Sequence, residues 1–187
     1  DPTTSAQGYC VYDSTKSGSK TTSHLRFGPK PIEAPYLVSQ AGFIGIHAWG
    51  ILESMDVLTM AREGTTVLLN SPYAVDEVWD KLPDTMQRQV LDKHLDLWTI
   101  DALSAARKVG LRNRTNTILQ TCFFAISGVL PKDEAIAKIK DSIQKTYGKK
   151  SQKIVEMNHA PVDASLEDLH QVQVPDEMTA LHRLVPA

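Results

Sequence analysis

A phosphate group asks a protein for backbone amides at close range, hydroxyls and a positive charge, and Asp13-Ser14-Thr15-Lys16-Ser17-Gly18 offers all three. A solvated connection between two strands has the same composition, so the run alone leaves both readings open. Arg112-Asn113-Arg114-Thr115-Asn116 lies directly before a strongly apolar segment. Arg114 and Asn116 are therefore expected at a helix N-terminus, where free amides and the dipole favour an anion. Capping by Thr115 or Asn116 would account for the same residues. In Ser23-His24-Leu25-Arg26-Phe27, alternation sets His24 and Arg26 on one strand face and Leu25 and Phe27 on the other. The first pair suits an anion, or simply a solvated face. Lys149-Lys150, with Asn158 and His159 about two turns further on, reads as a basic, solvated helix start. His47, between Ile46 and Ala48, reads as a core histidine in a strand.

Other chemistries find no support in the residues. The six histidines show no HExxH or similar spacing, so no metal site is expected. There is no GxSxG elbow, and no GxGxxG or GxxxxGK[ST] phosphate loop. Cys10 and Cys122 are too few for a cysteine-ligated iron–sulfur cluster, a four-cysteine zinc site or a disulfide framework. Both read as buried free thiols, which fits a reducing cytoplasm. Lys and Arg total 20 against 22 Asp and Glu, a net charge of −2 that argues against nucleic-acid or membrane-surface partners. No run approaches the roughly 18 apolar residues of a spanning helix. The chain opens Asp1-Pro2-Thr3 without a Met, as a processed product or a piece of something longer would.

These groups must be carried by an α/β framework. The 187 residues are expected to form a single domain, with a core from about residue 7 to 175. Gly8–Asp13 and Thr21–Phe27 read as strands, and Gly28-Pro29-Lys30-Pro31 as a tether. Tyr36–Val38 is a candidate short strand and Gly42–Ala48 another. Leu52, Met55 and Leu58 recur at helical spacing from Ile51 to about Ala61. Thr65–Leu69 is a continuous apolar strand of the kind buried mid-sheet. Helices follow at 75–82 and behind Pro83-Asp84, then a strand at Leu95–Ile100 and a helix at Ala102–Val109. Thr115–Ser127 is apolar around most of its circumference and predicts a buried helix. Another begins at Pro131 and ends at Gly148. Lys150–His159 and Ala164–Gln171 read as two helical pieces broken at Pro161, and the tail after Val174-Pro175 as peripheral. The sum is a mixed β-sheet flanked by helices on both faces, with a helical C-terminal third. Its first βα phosphate-binding unit is either of another kind or missing.

Taken together, several segments resemble one family. They are Gly8-Tyr9 through Tyr12-Asp13-Ser14, Lys16-Ser17-Gly18, Ser23–Ile32, Leu69-Asn70-Ser71-Pro72, Asp80-Lys81-Leu82-Pro83, Asn116–Pro131 and Tyr147-Gly148-Lys149-Lys150. The family is pyruvate:ferredoxin (flavodoxin) oxidoreductase, and the likeness, over roughly residues 7 to 175, is to its gamma domain. The resemblance implies an enzyme that decarboxylates pyruvate on thiamine diphosphate, sends electrons through [4Fe–4S] clusters to ferredoxin or flavodoxin, and acetylates coenzyme A. Thiamine diphosphate and the clusters belong to other domains or subunits of that enzyme. The gamma domain is implied to bind coenzyme A, carries no catalytic residue, and is inactive alone.

The family's coenzyme A contacts fall here on Lys16 and Ser17, on Asn116 and on Asn158, with Arg114 placed to meet the ligand's phosphates. A further contact, an Asp-Gly-Thr-Val-Gly turn, has no counterpart in this sequence. Two departures matter. Arg112-Asn113 stands where many relatives have Gly-Gly, and Ala48 follows His47 where relatives often have Asn or Gln. The competing expectation is a structural or docking domain of a related 2-oxoacid oxidoreductase or of a sulfite-reductase flavoprotein subunit.

Overall fold

The computed structural model describes residues 5–12, 21–32, 36–149 and 151–180, in two compact units, Asp1–Ala41 and Gly42–Ala187. In the first unit β1 (Ser5–Tyr12) pairs antiparallel with β2 (Thr21–Gly28), bringing Gln7 opposite Arg26 and Gly8 opposite Leu25. His24 and Arg26 share a face as the alternation predicts, but that face is the covered one. His24 is 8% exposed, whereas Leu25 is 56% and Phe27 37% exposed. The Arg26 guanidinium lies 4.9 Å from the Tyr36 ring centre. Tyr36–Val38 joins no sheet among the described residues, and Tyr36 and Leu37 are exposed.

The second unit holds a sheet in the order β3-β4-β5-β6, formed by Ala41–Ile46, Ala61–Asn70, Asp96–Ile100 and His170–Gln171. β4 and β5 run parallel, joined through α1 (Val78–Lys81) and α2 (Asp84–Asp92), while β6 returns antiparallel to β5. Strand alternation sorts side chains into two cores. Val67, Leu69 and Leu97 face Val78, Trp79, Met86 and Val90. Leu68 and Ile100 face α3 (Ala102–Lys108) and α4 (Asn116–Ile126), through Ala105, Ala106, Ile118 and Cys122. Helices thus cover both faces of a mixed sheet. α5 (Lys132–Tyr147) and α6 (Gln152–Asp168) complete the helical C-terminal part, each packing on α4 and on the other.

Four local expectations give way to competing physics. The helical spacing after Ile51 yields only a 3₁₀ turn, Trp49–Glu53, because Asp56 turns the chain by accepting from the Leu58 amide at 3.1 Å. Leu52 and Leu58 are buried all the same. Ala61–Gly64 extends β4 rather than closing a helix: the Arg62 amide bonds Thr65 Oγ1 at 3.1 Å, and Gly64, at φ 70°, donates to the Lys93 carbonyl at 2.8 Å. α6 runs unbroken through Pro161. The lost amide bond there is offset by tertiary packing, since Val155, Pro161, Val162, Ala164 and Ser165 are all buried. The tail after Pro175 lies exposed at 176–179 as expected, and its end is tied down where residues 179–180 bind Gln87. His47, finally, is an exposed residue just past β3, not a core histidine.

Candidate functional site

α3 ends in a turn that determines how the chain approaches α4. Gly110, at φ 77°, donates to the Arg107 carbonyl at 3.1 Å and Leu111 to that of Ala106 at 2.8 Å, the double closure of a left-handed helix terminus. Leu111 then packs into the second core. The chain reverses again as the Arg114 amide reaches the Leu111 carbonyl at 3.0 Å, which leaves Arg112 in the left-handed region at φ 54°. A side chain is strained there, so Arg112→Gly is expected to stabilise the chain by about 0.5–1 kcal/mol, net of the entropy glycine adds to the unfolded state. A urea midpoint that moves down would refute this.

Thr115 occupies the N-cap position of α4, but its side chain makes no cap bond, and Asn116 is the first helical residue. The opening amides of a helix lack intrahelical acceptors, so this end of α4 presents donors and positive dipole. Arg112, Asn113, Arg114 and Asn116 are exposed around it. Among the described residues, the side chains of Arg114 and Asn116 have no hydrogen-bond or ion-pair partner. Burial of Ile118, Leu119 and Cys122 one turn on anchors the helix beneath them.

Asn158 lies on α6, which packs against α4. Its Nδ2 donates to the Ile154 carbonyl at 2.7 Å, and His159 Nε2 meets the Lys140 carbonyl at 3.2 Å. The Asn158 side chain therefore keeps its Oδ1 acceptor and its second Nδ2 proton to offer, the first being committed to the helix. Arg114 and Asn116 share one turn, and no hydrogen bond joins Asn158 to either among the described residues. Lys16 and Ser17 lie outside the described residues.

A concavity away from these residues, not anticipated from sequence, opens at the carboxyl ends of the parallel pair β4 and β5. It is an open cleft of about 260 Å³ bounded by Tyr73, Thr99, Asp101, Ser104, Lys108 and His170. Lys108 Nζ is 2.8 Å from Asp168, whose hydrogen bond holds the ammonium pKa above the usual lysine value, the neighbouring carboxylates adding to it. Asp101 is committed to capping α3 through the Ser104 amide at 3.0 Å. Asn70 frames the same end of the sheet: its Nδ2 donates to the His47 carbonyl at 2.9 Å and its Oδ1 accepts from the Ala102 amide at 3.0 Å. The signal for this edge was present, since clefts gather at the carboxyl ends of parallel strands. Asn70-Ser71-Pro72, however, reads locally as nothing more than a turn. Among the described residues no group of three or more His, Cys, Asp or Glu is placed to hold a metal, and no helix is long and apolar enough to cross a membrane.

Comparison with known proteins gives one consistent result. The family described as pyruvate ferredoxin/flavodoxin oxidoreductase matches residues 4–167. The pyruvate-flavodoxin oxidoreductase of Nostoc is 56% identical over 172 residues, taking in 92% of this chain and 14% of that protein. That of Rhodospirillum rubrum is 52% identical over 185 residues, taking in 99% of this chain and 15% of the other. The pyruvate:ferredoxin oxidoreductase of Moorella thermoacetica is 48% identical over 170 residues, or 91% of this chain and 14% of its own length. The chain thus spans only 14–15% of the length of these relatives. In fold it is similar to the crystal structure of pyruvate oxidoreductase subunit PORC from Thermotoga maritima, with a TM-score of 0.62 at 13% identity over 91% of this chain and 83% of that one.

Proposed function

The chain belongs to the pyruvate ferredoxin/flavodoxin oxidoreductase family, and on that premise we propose that it is the coenzyme A-binding gamma domain of such an enzyme. The whole enzyme would convert pyruvate, coenzyme A and oxidised ferredoxin or flavodoxin to acetyl-coenzyme A, carbon dioxide and the reduced carrier. Thiamine diphosphate and [4Fe–4S] clusters would be held by its other domains or subunits. The observation that carries the reading is the start of α4. An uncapped helix end, with Arg114 and Asn116 exposed and unpaired beside it, suits the phosphates of coenzyme A in both charge and donor content.

Coenzyme A supplies the thiol that takes up the acetyl group. This chain's residues bind and orient. Arg114 pairs with a phosphate through its planar fork, while the α4 amides and the Asn116 side chain donate to phosphate oxygens. Asn158, with Oδ1 and one Nδ2 proton left to offer, accepts from a hydroxyl or amino group of the ligand or donates to one of its oxygens. Lys16 and Ser17 are assigned to the same ligand by family resemblance. No residue here makes or breaks a bond. The contribution is positional, bringing a thiol to the place where an acetyl group is generated.

Titration calorimetry of coenzyme A into the whole enzyme tests this. Arg114→Ala, which removes a charge-assisted bond, is expected to weaken binding about ten- to a hundredfold. Asn116→Ala and Lys16→Ala should weaken it by about three- to tenfold each. Unchanged affinity in all three, with acetyl-coenzyme A formation intact, would leave the domain a docking element.

A further inference from the structure

The hairpin of β1 and β2 wears its chemistry inside out. Along β2, Thr22, His24 and Arg26 form the less exposed face, and Thr21, Ser23, Leu25 and Phe27 the more exposed one. The register sets Gly8 opposite Leu25 and Ala6 opposite Phe27, and both small residues are exposed too. The outward patch Ala6–Gly8–Leu25–Phe27 therefore carries no charge, while an imidazole and a guanidinium occupy the opposite face. A half-solvated antiparallel pair arranges itself the other way, polar residues out. Gly8 accommodates this: Leu25 Cδ2 lies 3.0 Å from where a Cβ on Gly8 would stand, so the Leu25 side chain lies over the Gly8 backbone in space that any larger residue would contest. Among the described residues the sheet has two strands, and a two-stranded ribbon is marginal in water without something packed on it.

We propose that the Ala6–Gly8–Leu25–Phe27 face is a docking surface, covered in the working enzyme by an uncharged, apolar surface of the oxidoreductase polypeptide outside these 187 residues. Two observations select that occupant. The relatives are far longer than this chain, which makes up 14–15% of them, so most of the surface available to pack against comes from the rest of the enzyme. The patch also offers no charge for an ionic partner or an anionic ligand to read, and its small residues suit close approach by an apolar side chain. The proposal rests on the chain being one part of a larger oxidoreductase, and is independent of whether that part binds coenzyme A.

A photo-crosslinking residue, p-benzoyl-phenylalanine, incorporated at Leu25 of the whole enzyme reads the occupant directly. Crosslinked peptides should map to enzyme sequence outside residues 1–187. Capture of a second copy of this segment, of residues 42–187, or of nothing would overturn the proposal. As a second measurement, limited proteolysis of the whole enzyme should cut within residues 21–32 about tenfold faster in Leu25→Asp, because undocking exposes the strand. Leu25→Met, which keeps apolar bulk, should be cut at the parent rate. Equal rates for Leu25→Asp and parent would refute the docking, and coenzyme A affinity measured alongside keeps this failure separate from that of the binding role.

Discussion

Gln87→Ala is expected to lower the unfolding free energy by about 3–4 kcal/mol and to strip hydrogen-exchange protection from residues 179–180. Gln87 is 0% exposed, and both ends of its amide are in use. Nε2 donates to the Trp79 carbonyl at 2.6 Å and to Thr179 Oγ1 at 3.4 Å, while Oε1 accepts the amides of Thr179 at 2.8 Å and Ala180 at 2.9 Å. Truncation takes one of two donors from the Trp79 carbonyl in α1, which keeps the Leu82 amide, takes the shared acceptor from two tail amides, and leaves a void where the side chain lay. Each loss of a buried partner costs about 1–3 kcal/mol, reduced here because the tail can move out into water. The remaining link, Thr179 Oγ1 to Asp80, is exposed and cannot hold the segment alone. Urea unfolding gives the free energy and exchange at the two amides gives the local effect. A loss below about 1 kcal/mol with protection retained would mean that Val172, not Gln87, anchors the tail.

The same glutamine shows where local pattern stops being informative. The periodic signals were legible: α2, α3, α4 and α5 all fall within a residue or two of where apolar spacing, Pro starts and Gly stops place them, and the sheet core follows Thr65–Leu69 and Leu95–Ile100. Those are properties of one segment and its own hydrophobic face. What could not be read were contacts whose partner is remote in sequence. β6 exists because the Val172 amide reaches the Leu97 carbonyl at 2.8 Å, and Gln171 reaches Asp96 at 2.7 Å. α6 survives Pro161 because three other helices pack on it. A polar Gln87 in the first core has no signature in composition at all. For the site, Arg114 and Asn116 were legible as a helix start, since that is local. That one Nδ2 proton of Asn158 would be tied to the helix was not, because it depends on a bond one turn back. The cleft framed by Asn70 needs the parallel pairing of β4 with β5 before it can be seen.

The alkaline side of the stability profile should be set by Cys122. The thiol is 0% exposed in the second core, and burial pushes its pKa from 9.0 up to about 12. Between those two values the folded chain keeps a proton that the unfolded chain has already released, so the native state binds more protons and unfolding becomes easier as pH rises. The contribution is complete below pH 9 and decays towards pH 12. At pH 10.5 it amounts to about 2 kcal/mol of lost stability, from 1.36 kcal/mol for each unit of pH above the unfolded pKa. The ion pair of Lys108 with Asp168 is too exposed to matter much, but other groups of the chain add a background common to any variant. The diagnostic quantity is therefore the difference between parent and Cys122→Ala. The variant should be about 1–2 kcal/mol less stable at pH 8, having lost a buried sulfur, yet converge on the parent or overtake it by pH 10.5. Urea midpoints at the two pH values decide it. Parallel falls in both proteins would show that the thiol is not the group that titrates, and would move the cause to residues nearer the surface.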